Sequence, residues 1–206
     1  TWGPLHMIEP KEPLVSIIMN CYQGERYLQI AIESVMAQTY QNWELIFWDN
    51  QSTDRSAEII KNYDDKRFKY YYALKHTMLS EARNYAIEKS SGVYIAFLDV
   101  DDWWSSNKLK KQIPLFEDPN VYLVYGNFWI ENERKRTRKV MHNKNLPTGH
   151  ILNELLKNYV VGLLTIVIRR KAFDILKIPF KIKYHIIGDF DLVVRTAINW
   201  EIGCIQ

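Results

Sequence analysis

The stretch Val93-Tyr-Ile-Ala-Phe-Leu-Asp-Val-Asp-Asp102 decides how this chain is read. Its first six residues are apolar, rich in β-branched and aromatic types, and too few for an ordinary helix. They predict a buried strand. The strand breaks abruptly into Asp99, Asp101 and Asp102. In open α/β sheets ligands bind beyond the carboxyl ends of the strands. Side chains two apart in extended backbone share a face, so Asp99 and Asp101 can converge on one point. Two hard oxygen donors there suit Mg2+ or Mn2+, which also takes waters and substrate phosphate oxygens. An Asp-x-Asp by itself is common, and the competing reading is an acidic turn in which Asp102 caps the next helix.

Working outward, residues 14–19 read as a first buried strand, 20–24 as a turn, and a helix begins at Glu25 or Arg26. Leu28, Ile32, Val35 and Met36 recur there at helical spacing. Residues 44–48 form a second strand ending in Asp49, and Thr53 or Asp54 caps a helix running to about Tyr63. Residues 68–73 are a third strand, and 79–89 a third helix stopped by Ser90-Ser-Gly92. Strand and helix alternate, which predicts an α/β fold: a mostly parallel central sheet flanked by helices. After Asp102 the rhythm changes. Helices are expected over 107–116, 149–158, 171–176 and 190–199, strands over 121–130 and 163–169, and a charged hairpin or loop over 131–145. We read a single domain over 8–206, with residues 13–102 serving a nucleotide and 103–206 a smaller acceptor-side region. Residues 1–7 read as vector-derived, with Met7 the native initiator.

The chain has 206 residues, 47% apolar and 25% charged, which suits one soluble α/β domain with a real core. A formal charge of +3 gives no reason to expect nucleic acid as a partner. No apolar run approaches the roughly 20 residues needed to cross a bilayer. Cys21 and Cys204 are the only cysteines, so the expectation is a reducing, cytoplasmic setting without a disulfide framework.

Three strand ends carry polar groups: Asn20-Cys-Tyr22, Asp49, and Asp99-Val-Asp101. Their recurrence along one edge implies a single crevice. Asp49 can accept a hydrogen bond from a base or ribose, or open the following helix through an Asx-type turn.

The segments Pro13-Leu-Val-Ser-Ile-Ile-Met-Asn-Cys-Tyr22, Trp48-Asp-Asn-Gln-Ser-Thr-Asp54, Ala82-Arg-Asn84 and Phe97-Leu-Asp-Val-Asp-Asp102 resemble successive signatures of the family 2 glycosyltransferases. Lys108-Leu-Lys-Lys-Gln112, Arg169-Arg-Lys-Ala-Phe173 and Gly188-Asp-Phe-Asp-Leu-Val-Val-Arg195 resemble later ones, in the right order. The resemblance implies the GT-A (Rossmann-like) fold and an inverting transfer of a sugar from a nucleoside diphosphate sugar, UDP-sugar above all. The acceptor would be a hydroxyl on a glycan, lipid or protein. By the same resemblance Asp49, with backbone from Asn20 to Tyr22, holds the base and Arg83 lies near the phosphates. Asp99 contacts ribose or metal, Asp101 ligates Mn2+ or Mg2+, and Asp189 is the catalytic base with Asp191 the alternative. Two departures stand out. Gly188 replaces a usual Glu, and the chain ends where family members continue, which points to a catalytic-domain fragment.

Other features compete for attention. Arg134-Lys-Arg-Thr-Arg-Lys139 suits an acidic acceptor or peripheral contact with the inner face of a membrane, though such runs are more often solvated hairpins. Trp103 stacks on a sugar or is buried with Trp104. His185, alone, reads as structural. An inactive nucleotide-sugar-binding module is the non-enzymatic alternative. A sugar nucleotidyltransferase is the enzymatic one, disfavoured because residues 20–26 carry only Gly24 where a glycine-rich phosphate loop would be needed.

Overall fold

The computed structural model describes residues 12–184 and 186–206, so the readings of residues 1–7 and of His185 lie outside the described residues. The first half alternates as the apolar spacing predicts: β1 (Val15–Cys21), α1 (Leu28–Met36), β2 (Trp43–Asp49), α2 (Ser56–Lys61), β3 (Phe68–Tyr72), α3 (Leu79–Glu88) and β4 (Tyr94–Phe97). The second half contributes α4 (Lys108–Gln112), β5 (Val121–Gly126), β6 (Trp129–Asn132), β7 (Thr137–Val140), α5 (Leu152–Lys157), β8 (Val167–Arg169), α6 (Ala172–Leu176), α7 (Gly188–Asn199) and β9 (Glu201–Ile205).

Seven strands form one sheet in the order β3-β2-β1-β4-β8-β5-β9. The first four are parallel. β8 runs against both β4 and β5, and β9 lies parallel to β5. β1, β2 and β4 are buried along their whole length, as apolar strands covered on both faces must be. Alternate side chains feed two cores. Ile18, Ile46, Trp48 and Phe97 meet Ala82 and Ala86 of α3 and Leu192 and Val193 of α7. Ile17, Leu45 and Phe47 meet Leu28, Ala31 and Ile32 of α1 and Leu109 of α4. Among the described residues no helix is long and apolar enough to cross a membrane.

Several boundaries differ from the sequence reading. The helix expected over 107–116 stops at Gln112, and Ile113–Glu117 tighten into a 3-10 turn at Pro114, which has no N–H to donate. The strand expected over 121–130 breaks after Gly126. There the Asn127 side chain takes over the ladder, accepting from the amides of Phe128 and His142 and donating to His142 O. β6 and β7 then form a separate two-stranded hairpin. The strand expected over 163–169 opens as a 3-10 turn, Leu163–Thr165. Gly149, at φ +89°, pairs with Ile202 before α5 begins, so the helix expected from 149 starts three residues later.

Glu44 is a buried charge inside β2. It accepts from the Ser16 hydroxyl at 2.6 Å and the Ser91 amide at 2.6 Å, and pairs with Lys69. Burial alone would raise its pKa, but these donors outweigh burial and hold it at about 2 against an ordinary 4.5. A depressed carboxylate stabilises the fold above its unfolded value and loses that contribution as pH falls through the folded one. Glu44→Gln is therefore expected to cost about 2–3 kcal/mol at neutral pH, since a tenfold difference in proton affinity between the folded and unfolded chain is worth ~1.4 kcal/mol. Denaturant titrations should show the deficit shrinking to nothing as the wild type approaches pH 2.

Candidate active site

The topology brings the candidate residues to one edge. The carboxyl ends of β1, β2 and β4 deliver Asn20, Asp49 and Asp99 there. α3 returns between parallel strands and α7 leads into β9, so the N-terminal turns of both helices arrive at that same edge, bringing Arg83 and Asp189.

Arg83, nearly buried on α3, donates from Nη2 to both oxygens of Asp99, at 2.9 and 2.8 Å. Its guanidinium also lies 5.4 Å from the Phe180 ring centroid, and Phe180 packs edge-on against Phe97. Asn84 fixes Phe180 by donating to its carbonyl at 2.7 Å and accepting from its amide at 2.9 Å. The Ala-Arg-Asn segment thus has a physical account: Ala82 fills the core, Arg83 meets the acidic loop, and Asn84 clamps the chain ahead of α7.

Asp101 is exposed and makes no hydrogen bond among the described residues. Asp102 turns back, its amide donating to Asp99 O at 3.1 Å. Burial, then the charges of Asp101 and Asp99, push its carboxyl up to about 6. It does not cap the next helix, which starts at Lys108 after Asn107. Among the described residues no three His, Cys, Asp or Glu side chains converge as a ready-made metal cage. The donor set nevertheless fits a hard cation that substrate helps to coordinate. Three carboxylates repel one another across one loop, Asp101 is free, and Asp99 keeps lone pairs beyond those facing Arg83.

Asp49 is fully buried, with Oδ2 accepting from the Tyr70 hydroxyl at 2.8 Å and Oδ1 from the Ser52 amide at 2.7 Å. It is engaged as the anchor of the turn ahead of α2. Asn20 is the reverse case: its side-chain amide is buried and neither polar atom has a partner among the described residues. Tyr22 is exposed and meets His76 edge-on at 4.4 Å, and His76 Nδ1 lies 2.8 Å from Asn50 O. Gly24 closes the turn. A β-carbon there would come within 2.9 Å of both Cys21 Sγ and Val100 Cγ2, so the first turn touches the acidic loop between its aspartates. Gly24→Ala is expected to cost about 1–3 kcal/mol through overpacking and to weaken nucleotide binding; thermal melting and calorimetry would show an undisturbed loop if both stayed at wild-type values.

Trp103 and Trp104 part company. Trp104 is buried and donates to Leu164 O at 2.8 Å. Trp103 stays partly exposed on a cleft of about 730 Å³ that also takes in Asp101, Lys108, Phe128, Trp129 and Gln206. Lys108 is held by Gln112 Oε1 at 2.6 Å over the Trp104 ring, and burial pushes its ammonium well below the ordinary lysine range. Arg83 and Asp189 are not among the cleft's lining residues.

On α7, Asp191 is committed: Oδ2 accepts from Arg195 Nε at 2.7 Å, and Lys181 lies 3.8 Å from Oδ1. Asp189 makes no such bond among the described residues. Its charge is felt by Tyr159, whose hydroxyl is buried without a partner among the described residues and whose ionisation is raised by burial and then by Asp189. Tyr159 also packs edge-on against Phe190. Nothing in its sequence context singles it out beyond membership of an apolar run. Gly188 has a packing reason: a β-carbon would lie 3.2 Å from Ser80 Oγ and 3.3 Å from Phe180 Cδ1, leaving little room for the usual Glu. The basic run on β6–β7 is solvent-exposed, and Glu133 at the hairpin turn accepts from Arg26 at 2.8 Å and Tyr27 at 3.1 Å.

The model of the family described as Glycosyl transferase family 2 matches residues 16–176. The chain belongs to that family. This family 2 chain is 38% identical over 167 residues to the Escherichia coli UDP-Glc:alpha-D-GlcNAc-diphosphoundecaprenol beta-1,3-glucosyltransferase WfgD, covering 81% of this chain and 64% of that protein. It is 32% identical over 171 residues to the putative teichuronic acid biosynthesis glycosyltransferase TuaG of Bacillus subtilis (strain 168), covering 82% and 67%. The chain thus spans about two thirds of the length of these relatives. Among solved structures, S. aureus TarS superposes with a TM-score of 0.76 at 20% identity, over 93% of this chain and 57% of that one. The mannosyltransferase PcManGT from Pyrobaculum calidifontis, in complex with GDP-Man and Mn2+, gives 0.73 at 15% identity, over 95% and 55%. The family 2 chain has the GT-A-type fold that its signatures implied.

Proposed function

We propose that this chain carries the catalytic face of an inverting glycosyltransferase, which moves a sugar from a UDP-sugar to an acceptor hydroxyl on a glycan, lipid or protein. The observation that carries this reading is the contrast on α7. Asp191 is tied to Arg195, while Asp189, at the edge shared with Arg83 and Asp99, has a carboxylate with no hydrogen bond or ion pair among the described residues. A base for an acceptor hydroxyl must be free to take a proton at hydrogen-bond distance. Asp189 would take it as the hydroxyl attacks the anomeric carbon from the face opposite the leaving group, inverting configuration in one displacement.

The leaving diphosphate is the other charge to manage. Arg83 supplies a fixed cation beside it, held in orientation by Asp99 and Phe180. Asp101 and Asp99 would hold Mn2+ or Mg2+. When bound, that ion neutralises charge developing on the departing phosphates. Asn20 offers an unpaired donor and acceptor for the nucleotide, and Tyr22 an exposed ring. Asp49 would orient the base-binding turn from beneath. Trp103 would pack on a sugar face in the cleft. The GDP-Man and Mn2+ complex of PcManGT and the UDP-GlcNAc complex of TarS support a nucleotide sugar and a divalent ion as ligands.

The test is transfer from a panel of nucleoside diphosphate sugars with Mn2+, reading the anomeric configuration of the product by NMR. Retention of configuration would overturn the single displacement. Nucleotide-sugar binding without transfer would leave the binding-module reading instead.

A further inference from the structure

From the last turn of α6 toward α7 the chain reads Ile175-Leu-Lys-Ile-Pro-Phe-Lys-Ile-Lys-Tyr184, and Ile186-Ile187 precede α7. No carboxylate interrupts it. Ile175, Ile178, Ile182, Ile186 and Ile187 are between 48 and 82% exposed. Single exposed apolar residues are ordinary, but five exposed isoleucines from the end of α6 to the start of α7 are an apolar surface that needs an occupant. Met78 and Leu79, at the start of α3, are also about half exposed. They lie at the same end, because α7 begins against Ser80 and the Ile182–Tyr184 turn packs on α3. Lys177 and Lys183 are exposed on this face and have no ion-pair partner among the described residues.

We propose that this face docks on an anionic lipid bilayer, with the isoleucines entering the headgroup region and Lys177 and Lys183 meeting lipid phosphates. Interleaved apolar and basic side chains, with no acidic one from Ile175 to Ile187, are the composition that partitions into such an interface. A second copy of this chain is the poorer occupant, because a two-fold contact would set lysines against lysines. The β6–β7 hairpin is more basic, but part of its charge is answered within the hairpin, where Arg138 pairs with Glu131. Asp189 follows Ile187 by two residues. On the proposed function, membrane docking therefore turns the base toward the lipid surface, where an acceptor sugar carried on a lipid would present its hydroxyl. The docking itself does not depend on that function.

The experiment is co-sedimentation of the protein with vesicles of phosphatidylcholine alone and of phosphatidylcholine mixed with phosphatidylglycerol. Binding is expected to the mixed vesicles and to weaken with salt. The pair Lys177→Ser and Lys183→Ser should lower partition roughly ten-fold, since each lysine near an anionic surface contributes about five-fold or less. Ile182→Ser with Ile186→Ser should lower it by a similar factor and remove the binding that survives high salt. Arg134→Ser with Lys135→Ser should bind as wild type. UDP affinity by calorimetry, expected unchanged in all three variants, reports folding. Wild-type protein that ignores anionic vesicles, or isoleucine and lysine variants that bind as well as wild type, would overturn the proposal. So would self-association in sedimentation velocity that the isoleucine variant abolishes. Vesicle binding by a protein that transfers no sugar would reject the proposed function and leave this inference intact.

Discussion

Asp189→Asn is expected to lower turnover by ~10²–10⁴-fold, the usual weight of a general base, while leaving donor affinity at its wild-type value. The asparagine is isosteric and can still accept a hydrogen bond, but it cannot carry away the acceptor's proton. Its place at the first turn of α7 is set by packing of Gly188 on Ser80 and Phe180, which the substitution leaves alone. Steady-state kinetics with calorimetry of UDP binding separates the two effects. Wild-type turnover in this variant would remove Asp189 from the mechanism. Asp191 is not a ready substitute, because its pairing with Arg195 and Lys181 fixes it in the wall between α7 and the preceding loop. Losing that carboxylate should appear as lost stability, not as a lost proton transfer.

Asp101→Ala is expected to abolish the divalent-ion dependence of donor binding. A hard cation shared with a diphosphate is held by only one or two protein carboxylates, and of the two in this loop Asp99 is already engaged by Arg83. Removing Asp101 leaves that paired carboxylate alone and relieves the repulsion that helps raise Asp102. The measurement is UDP-sugar binding with Mn2+ and with chelator. In the wild type chelator should weaken binding by an order of magnitude or more, about 1.4 kcal/mol per factor of ten. In the variant the two conditions should coincide. Retention of a Mn2+-dependent difference in the variant would move the ion elsewhere.

Much of the fold was legible because its signals are local. β1, β2 and β4 are apolar runs bounded by turn residues, and their burial follows from that composition alone. The acidic loop was legible for the same reason, as an apolar run that ends in carboxylates. Where the reading slipped, a tertiary partner had replaced a local rule. Asn127 ends β5 by bonding to His142, and Gly149 delays α5 by pairing with Ile202. The site divides the same way. Arg83 and Asp99 were each visible, but their pairing across 16 positions was not. Asn84 holding Phe180 spans 96 positions, and no spacing rule reaches that far. Asp49 shows the limit from the other side. Its residue type and position left open a ligand contact or an Asx-type turn; the bond from the Ser52 amide is that turn, whereas its full burial and the bond from Tyr70 are a matter of three-dimensional surroundings.

The close approach of Gly24 to Val100 has a bearing on how donor preference can change. One wall belongs to the stretch that would grip the base and the other to the stretch that would grip the phosphates, with no slack between them. Enlarging either displaces its neighbour, so a side chain added at Gly24 would push Val100 and with it the flanking Asp99 and Asp101. A larger residue at Gly24 therefore calls for a compensating smaller one at Val100 across that seam.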